Sequence, residues 1–430
     1  MRIIQLTPGT GNFYCGSCLR DNTLVRGLRA RGHDAIMVPL YLPHVLDEPA
    51  ESAGVPIFLS GISVFLDQKY PKLRRPAWLD RVLSSPRLLK RAANLAGMTS
   101  AKDLGESTVS MLKGKDGCQA NELDRLIEWL RTQPKPDIFC LSNSLLSGLA
   151  LRLKEEFRVP VVSSFQGEDS FLDALFEPYR KKSWELLAAR CAEVDHFISV
   201  SRYFASEMKR RLGLSGDIVS IAYPGIAADE FSVAAEPPSP SAIGYLARMH
   251  HAKGLGTLVD AFIELKKRNR VPDFRLRIAG AMTNTDTRFV DSLRDKLSSR
   301  GLLASVDFLP NISREAKHEF FRTLSVFSVP ATYGEAFGFY VLESLAAGVP
   351  VVQPRHAAFP EILEQTGGGL LCEPDDVASL ADKLESLLLD APRARALGAK
   401  GRAAVREKFT IEQMITSTEE NLSDVVARKR

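Results

Sequence analysis

Short apolar runs alternate with amphipathic stretches along most of the chain. Residues 2–6, 35–40, 138–141 and 159–163 are apolar runs of strand length, and 242–246, 274–279, 306–309, 326–330 and 351–352 repeat the pattern. Runs this short and mostly apolar fit strands of a parallel sheet, with Arg275, Arg277 and Asp307 among the charged exceptions. Between them apolar residues return at helical spacing. Leu19, Leu24, Val25 and Leu28 mark one helix that ends near Gly32, with Ser17 as its expected cap, and 121–131, 145–157, 255–267, 315–324 and 409–426 mark others. Residues 195–201 predict a strand that runs into a helix capped at Ser201, and Asp375-Asp376 caps a further helix. Alternation of this kind predicts an α/β chain with helices packed on parallel sheets. At 430 residues two domains of ordinary size are expected, and AAEPPSPS is a linker by composition. The expected division is a first domain over 1–233, a linker over 234–241 and a second domain over 242–409.

The stretch 331–353, ATYGEAFGFYVLESLAAGVPVVQ, predicts loop, helix, turn and strand. Glu335 falls in the loop, Gly338 opens the helix and Glu343 lies in its first turns. Val341, Leu342, Leu345 and Ala346 form its apolar face, and Gly348-Val349-Pro350 ends it. A helix N-terminus preceded by small residues suits an anion. Eight helical steps would put the two glutamates about 12 Å apart along the axis. Glycosidase pairs stand about 5–5.5 or 6.5–9.5 Å apart. The spacing suits two hydroxyl-bearing groups on one long ligand, such as a nucleotide-sugar. Acids that merely complement the helix dipole fit it equally well.

Three other clusters carry candidate chemistry. Gly9, Gly11 and Gly16 follow the first strand as G-x-G-x4-G, and no acid stands near 40–41, so the dinucleotide fingerprint is not met. Arg248, Lys253 and Gly254 lie at a strand-to-helix junction, where two cations and free backbone N–H groups suit a diphosphate; two solvated surface cations are the plain alternative. Gln166-Gly-Glu-Asp169 stands just beyond a strand's C-terminal edge, where α/β sheets bind ligands. There Glu168 and Asp169 either serve an acid–base or acceptor-orienting role or simply begin a helix. Cys15 and Cys18 form C-x-x-C at a helix start, but no second ligand pair supports zinc, and two small residues in a crowded loop is the favoured reading over redox chemistry. Within 70–95, Trp78, Leu79, Val82, Leu83, Leu88 and Leu89 alternate with Arg74, Arg75, Arg81, Arg87, Lys90 and Arg91. That face fits an anionic membrane surface or a solvated helix packed on the domain, and Pro86 interrupts it.

Composition narrows the classes. The 45% apolar and 25% charged fractions are those of a soluble globular protein, and a net charge of +4 does not predict nucleic-acid binding. Six irregularly placed cysteines are no disulfide framework, and a reducing compartment is expected. The N-terminal MRIIQLTPGTG lacks the apolar core of a signal peptide. No run approaches the ~18 apolar residues of a membrane span.

Glu335-x7-Glu343, inside GEAFGFYVLESLAAGVPVV, resembles the signature of retaining glycosyltransferases of family 4. Their GT-B fold has two Rossmann-like β/α/β domains facing across a cleft. The resemblance implies that Glu335 and the backbone N–H groups of Phe337, Gly338 and Phe339 hold the donor sugar, and that Glu343 binds the ribose hydroxyls. Arg248-x4-Lys253-Gly254 matches the pair that neutralises the leaving diphosphate. Gly280 becomes a donor-side turn, Leu309 with Pro310 and Asn311 the nucleotide-base region, and Gly9 and Gly11 the loop facing phosphates and acceptor. Gln166 stands where many relatives carry His near the reacting sugar carbon, and a glutamine carries no proton at neutral pH. Pro224 stands where Asn is usual. Residues 44–120 correspond to the variable, acceptor-recognising part, and the helix over about 410–430 to the segment that packs back on the first domain.

The implied activity is transfer of a sugar, with retention, from a nucleoside-diphosphate sugar to a carbohydrate or lipid-linked hydroxyl acceptor. A UDP-sugar is favoured by family frequency. No D-x-D occurs in the sequence, so no metal or other cofactor is expected. The expected location is the cytoplasm, with peripheral contact to the inner membrane face through 70–95 if that face binds lipid and does not pack on the domain. A nucleotide-sugar epimerase of the same fold, and a non-catalytic nucleotide-sugar binder kept in play by Gln166, are the alternatives.

Overall fold

The apolar runs of the first half become one parallel sheet and those of the second half another. The chain is described by a computed structural model over residues 1–9, 16–42, 49–52, 54–58 and 101–429. The strands are β1 (Arg2–Thr7), β2 (Asp34–Pro39), β3 (Ile138–Leu141), β4 (Val161–Phe165), β5 (His196–Ser199) and β6 (Val219–Ile221), then β7 (Ser241–Leu246), β8 (Phe274–Gly280), β9 (Val306–Pro310), β10 (Val326–Phe327), β11 (Val351–Pro354) and β12 (Gly369–Cys372). The sheet orders are β2-β1-β3-β4-β5-β6 and β12-β11-β10-β7-β8-β9. Every pairing is parallel. β4 begins two residues later than its apolar run because Pro160 has no N–H for the ladder.

The two sheets belong to two compact units, Met1–Tyr223 with Ile411–Arg430, and Pro224–Thr410. The first unit is discontinuous in sequence. Its helix Ile411–Lys429 buries Met414, Ile415, Leu422, Val425 and Val426 in one cluster with Leu24, Val25 and Leu28 of the helix Gly16–Ala30. Burial of each such side chain is worth about 1.5–3 kcal/mol. The Arg31–Glu419 and His33–Glu419 pairs at 2.5 and 2.7 Å flank this seam. Pairs that keep part of their surface in water contribute on the order of 1 kcal/mol, so apolar burial does most of the docking.

Several boundaries differ from the sequence expectation. The helix expected over 409–426 starts two residues later, at Ile411, because Thr410 bridges to Ile226 and separates it from a preceding helix that ends at Lys408. The segment 145–157 splits into a 3-10 turn, Ser144–Leu149, and an α-helix, Ala150–Phe157. Gly148 lies close against another backbone there, for a Cβ would stand 2.2 Å from the Met111 carbonyl oxygen. Ser17 lies inside the first helical turn, not before it. Ser201 and Asp376 do cap their helices, accepting from Phe204 and Ser379 N–H. Cys18 is buried, while Cys15 and the whole 70–95 face lie outside the described residues.

At the C-terminal edge of the first sheet, the loops after β3 and β4 are tied by one carboxylate. Glu168 Oε1 accepts from Ser144 N and Oγ at 2.9 and 2.7 Å, and Oε2 accepts from Gln166 N at 2.6 Å. The next residue has no such support. Asp169 is 5% exposed and its Oδ1 has no hydrogen-bond partner among the described residues. Burial pushes its pKa up to about 6, against the backbone hydrogen bond from Ser170 and the Arg211 charge.

Two stability outcomes follow from these contacts. A raised carboxyl pKa means that the folded state binds more protons than the unfolded one between about 4 and 6, so Asp169 costs stability as pH rises through that window. Asp169→Asn should raise Tm at pH 7.5, and the gain should vanish as the pH is lowered below the ordinary carboxyl range. Gly398 lies within the helix Ala391–Lys408, where alanine normally gains up to about 1 kcal/mol. Here a Cβ would meet the Gly348 carbonyl oxygen at 2.0 Å. Gly398→Ala should therefore lower stability by about 1–3 kcal/mol in denaturant melts, opposite to the propensity sign.

Candidate functional site

The second sheet reverses its winding between β7 and β10, and in open α/β sheets ligands bind beyond the C-terminal strand ends at such a point. The loop after β7 carries Arg248 and Lys253, and the loop after β10 carries Glu335. Two backbone contacts lock these loops together. Thr332 N and Oγ1 both donate to the Ala252 carbonyl, at 3.0 and 3.2 Å. Gly254 caps the following helix with φ 72°, and a Cβ there would fall 1.7 Å from the Pro330 carbonyl oxygen. Only glycine meets both conditions.

The result is a dense cluster around one carboxylate oxygen. Glu335 Oε2 accepts from Lys253 Nζ at 2.7 Å and from the Tyr333 and Tyr340 hydroxyls at 2.8 Å each. Lys253 also donates to the Tyr333 hydroxyl, and its ammonium lies 4.7 and 5.6 Å from the Tyr333 and Tyr340 ring centroids. Burial opposes ionisation of Glu335, but the Lys253 charge and these hydrogen bonds outweigh it and hold the carboxyl below its usual range. Burial first, and the Glu335 charge second, push the Tyr340 phenol well above 10. The phenol therefore remains a donor.

Arg248 is oriented by a second acid. Its Nε donates to both oxygens of Asp286 at 3.1 and 3.2 Å, and its Nη2 to Thr285 at 3.2 Å. Asp286 is 1% exposed and also accepts from Thr283 N and Oγ1. Burial raises its pKa, and hydrogen bonds from Arg248 and Thr283 more than cancel that, leaving it below the usual range. The Arg248 side chain is half exposed, so the guanidinium is anchored at one edge and open at the other.

Several of the other positions expected to face the donor lie at this strand edge. Gly280 ends β8 with φ 130°, its backbone against the Ala247 carbonyl, and Met249 N donates to Ala281 O at 2.9 Å. Leu309 is half-buried near the end of β9, opposite Ala279. The helix Phe339–Ala346 starts after Gly338, whose φ of 92° excludes a side chain without strain. Phe337 is buried, with its ring 5.8 Å from Phe339. Glu343 does not join the Glu335 cluster; it pairs with Lys317 at 2.6 Å. Gln166 and Glu168 are in the other unit, where Gln166 Nε2 donates to the Ser142 carbonyl and Glu168 ties two loops as described. Gly9 has φ 87° and Gly11 lies outside the described residues. A cavity of about 530 Å³ opens in the first unit at the N-terminal ends of the strands, lined by Lys135, Lys154, Arg158, Asp195 and Lys429 among others, and includes none of these residues.

Sequence reasoning missed four partners. Tyr333 and Tyr340 flank Glu335 in the motif itself, and hydroxyl-bearing rings beside a buried acid were a usable signal. Asp286 and Lys317 had none, for their partners lie 38 and 26 residues away.

Comparison with known proteins completes the picture. The model of the family "Glycosyl transferases group 1" matches residues 228–404 and that of "Glycosyltransferase Family 4" matches 117–230. The lipopolysaccharide core biosynthesis mannosyltransferase LpsB of Rhizobium meliloti is 32% identical over 180 residues, which are 41% of this chain and 49% of that protein. The match therefore spans about half of that relative's length. Glycogen synthase of Mycobacterium tuberculosis is 23% identical over 350 residues, 79% of this chain and 80% of the enzyme. In fold, sucrose-phosphate synthase of Thermosynechococcus elongatus superposes with a TM-score of 0.74 at 17% identity, covering 100% of both chains. Anabaena HepE in complex with UDP-glucose does so at 0.68 and 14%, covering 99% of this chain and 100% of its own. With two parallel six-stranded sheets, the Glu335-x7-Glu343 motif inside the first match and the two family models together spanning 117–404, the chain belongs to the group 1 glycosyltransferases of family 4, with the GT-B fold.

Proposed function

We propose that this chain moves a sugar from a nucleoside-diphosphate sugar to a hydroxyl of a carbohydrate or lipid-linked acceptor, with retention of anomeric configuration. The observation that carries the reading is the Lys253–Glu335 pair at the strand-order reversal, 2.7 Å apart, with Arg248 on the same loop as Lys253. Glu335 accepts hydrogen bonds from the donor sugar's hydroxyls, and Glu343 from the ribose. Arg248 and Lys253 face the diphosphate. In the step itself the bond from the anomeric carbon to the diphosphate oxygen breaks and the acceptor oxygen bonds that carbon. The acceptor's proton leaves with the diphosphate. Charge grows on the departing phosphate, and two cations already oriented by Asp286 and Glu335 stabilise it without reorganising first. UDP is the favoured nucleotide, supported by the UDP and UDP-glucose complexes of HepE.

No metal takes part in this scheme. The sequence lacks D-x-D, and that is the ground for this part of the reading. The location that goes with this reading is the cytoplasm, with residues 70–95, which lie outside the described residues, either contacting the inner membrane face or packing on the domain. No helix among the described residues is long and apolar enough to cross a membrane.

A thermal-shift panel of UDP, GDP, ADP and their sugar conjugates tests the donor site. One nucleotide series should stabilise the protein by about 2.7 kcal/mol at a hundred times its dissociation constant. The shift should disappear in Arg248→Ala/Lys253→Ala. A shift that survives the double substitution would place the diphosphate elsewhere, and none at all would remove the donor reading. Transfer activity should be unchanged by excess EDTA; loss that Mg²⁺ or Mn²⁺ restores would overturn metal independence.

A further inference from the structure

Lys317 meets Glu343 in a way that the donor reading alone does not require. It lies on the helix Arg314–Arg322, outside the glutamate motif, and its Nζ stands 2.6 Å from Glu343 Oε1. Both side chains are largely buried, 20% and 12% exposed. The helix is held in place from its other residues. Arg314 Nη2 donates to both oxygens of Glu230 at 2.7 and 2.6 Å. The His318 ring packs edge-on against Phe231 at 4.7 Å, and Ser313 caps the helix by accepting from Ala316 N. Lys317 thus does not have to supply the docking energy of its helix.

Its geometry acts instead on the carboxylate. Glu343 Oε1 is engaged by the ammonium, while Oε2 accepts no hydrogen bond among the described residues. A carboxylate on a flexible side chain would lose rotamer freedom on meeting a diol, and one already pinned through a single oxygen loses less. We propose that Lys317 is a positioning residue for nucleotide recognition: it fixes Glu343 so that the second oxygen is presented to the vicinal hydroxyls of the ribose, and thereby sets the preference for ribonucleotides. The proposal rests on the donor-site reading above.

The discriminating readout is the ribose itself. UDP, GDP and ADP and their 2′,3′-dideoxy forms are titrated calorimetrically into the wild type, Lys317→Met, Lys317→Gln and Lys317→Arg. The wild type should prefer one ribonucleotide over its dideoxy form. Lys317→Met and Lys317→Gln should bind the ribonucleotide about ten-fold more weakly, with dideoxy affinity unchanged, the size expected for one charge-assisted hydrogen bond. Lys317→Arg, which keeps the cation, should recover the preference. Equal weakening of both forms would show Lys317 to be a packing residue only and overturn the assignment, as would unchanged discrimination in both neutral variants or an arginine variant no better than they are. Failure of the wild type to bind any of the three ribonucleotides would remove the donor reading and this proposal with it. The two neutral variants differ in polarity, so a folding failure of one leaves the other to decide.

Discussion

The second unit depends on one ion pair in a place where a lone charge would be intolerable. Glu335 sits in a loop, largely shielded from water, and is ionised because Lys253 and two tyrosines meet it. Removal of one member of such a pair strands the other, at a cost of about 3–5 kcal/mol. The pair exists only because the loops after β7 and β10 are neighbours, which they are because the sheet runs β10-β7 at its centre. Strand order, backbone contact and charge pairing form one chain of causes. Each acid in the neighbourhood then governs one cation: Asp286 holds Arg248, Glu335 holds Lys253, Glu343 holds Lys317.

Glycine sets the tolerances of this arrangement. At Gly254 and Gly280 the backbone turns with positive φ while a neighbouring carbonyl occupies the space of a Cβ. The two loops can approach that closely only because nothing projects between them. Further from the site, Gly398 lets a long helix rest on the turn that ends the helix carrying Glu343.

Much of this was legible in the sequence. The buried strands announce themselves as apolar runs, and Glu335, Gly338 and Glu343 share one continuous motif whose loop–helix form the structure reproduces. The division of labour inside the motif was less legible. The motif placed Glu335 in the loop and gave the two acids separate groups of one ligand, but nothing in its spacing showed that they engage different lysines. The helix Phe359–Thr366 went unread, whereas Phe339–Ala346, equally short, was read from the motif that contains it. The break at 409–410 is made by a bridge to Ile226, nearly two hundred residues earlier, and carries no local breaker. For Glu168 the sequence left a chemical role and a helix start equally open, and it did not show that the carboxylate ties two loops through Ser144 and Gln166. Such assignments depend on which strand ends become neighbours, and that is a property of the fold and not of spacing.

The seam between the helices Gly16–Ala30 and Ile411–Lys429 bears on the order in which the molecule is assembled. On a ribosome the residues of the second unit all emerge in one stretch, so it can close its core as soon as that stretch is out. The first unit begins earlier and finishes later. Leu24, Val25 and Leu28 wait for Met414, Ile415 and Leu422 before their apolar faces are covered. Through most of synthesis the older half of the nascent chain therefore carries the uncovered apolar surface, and it is the half that would engage chaperones.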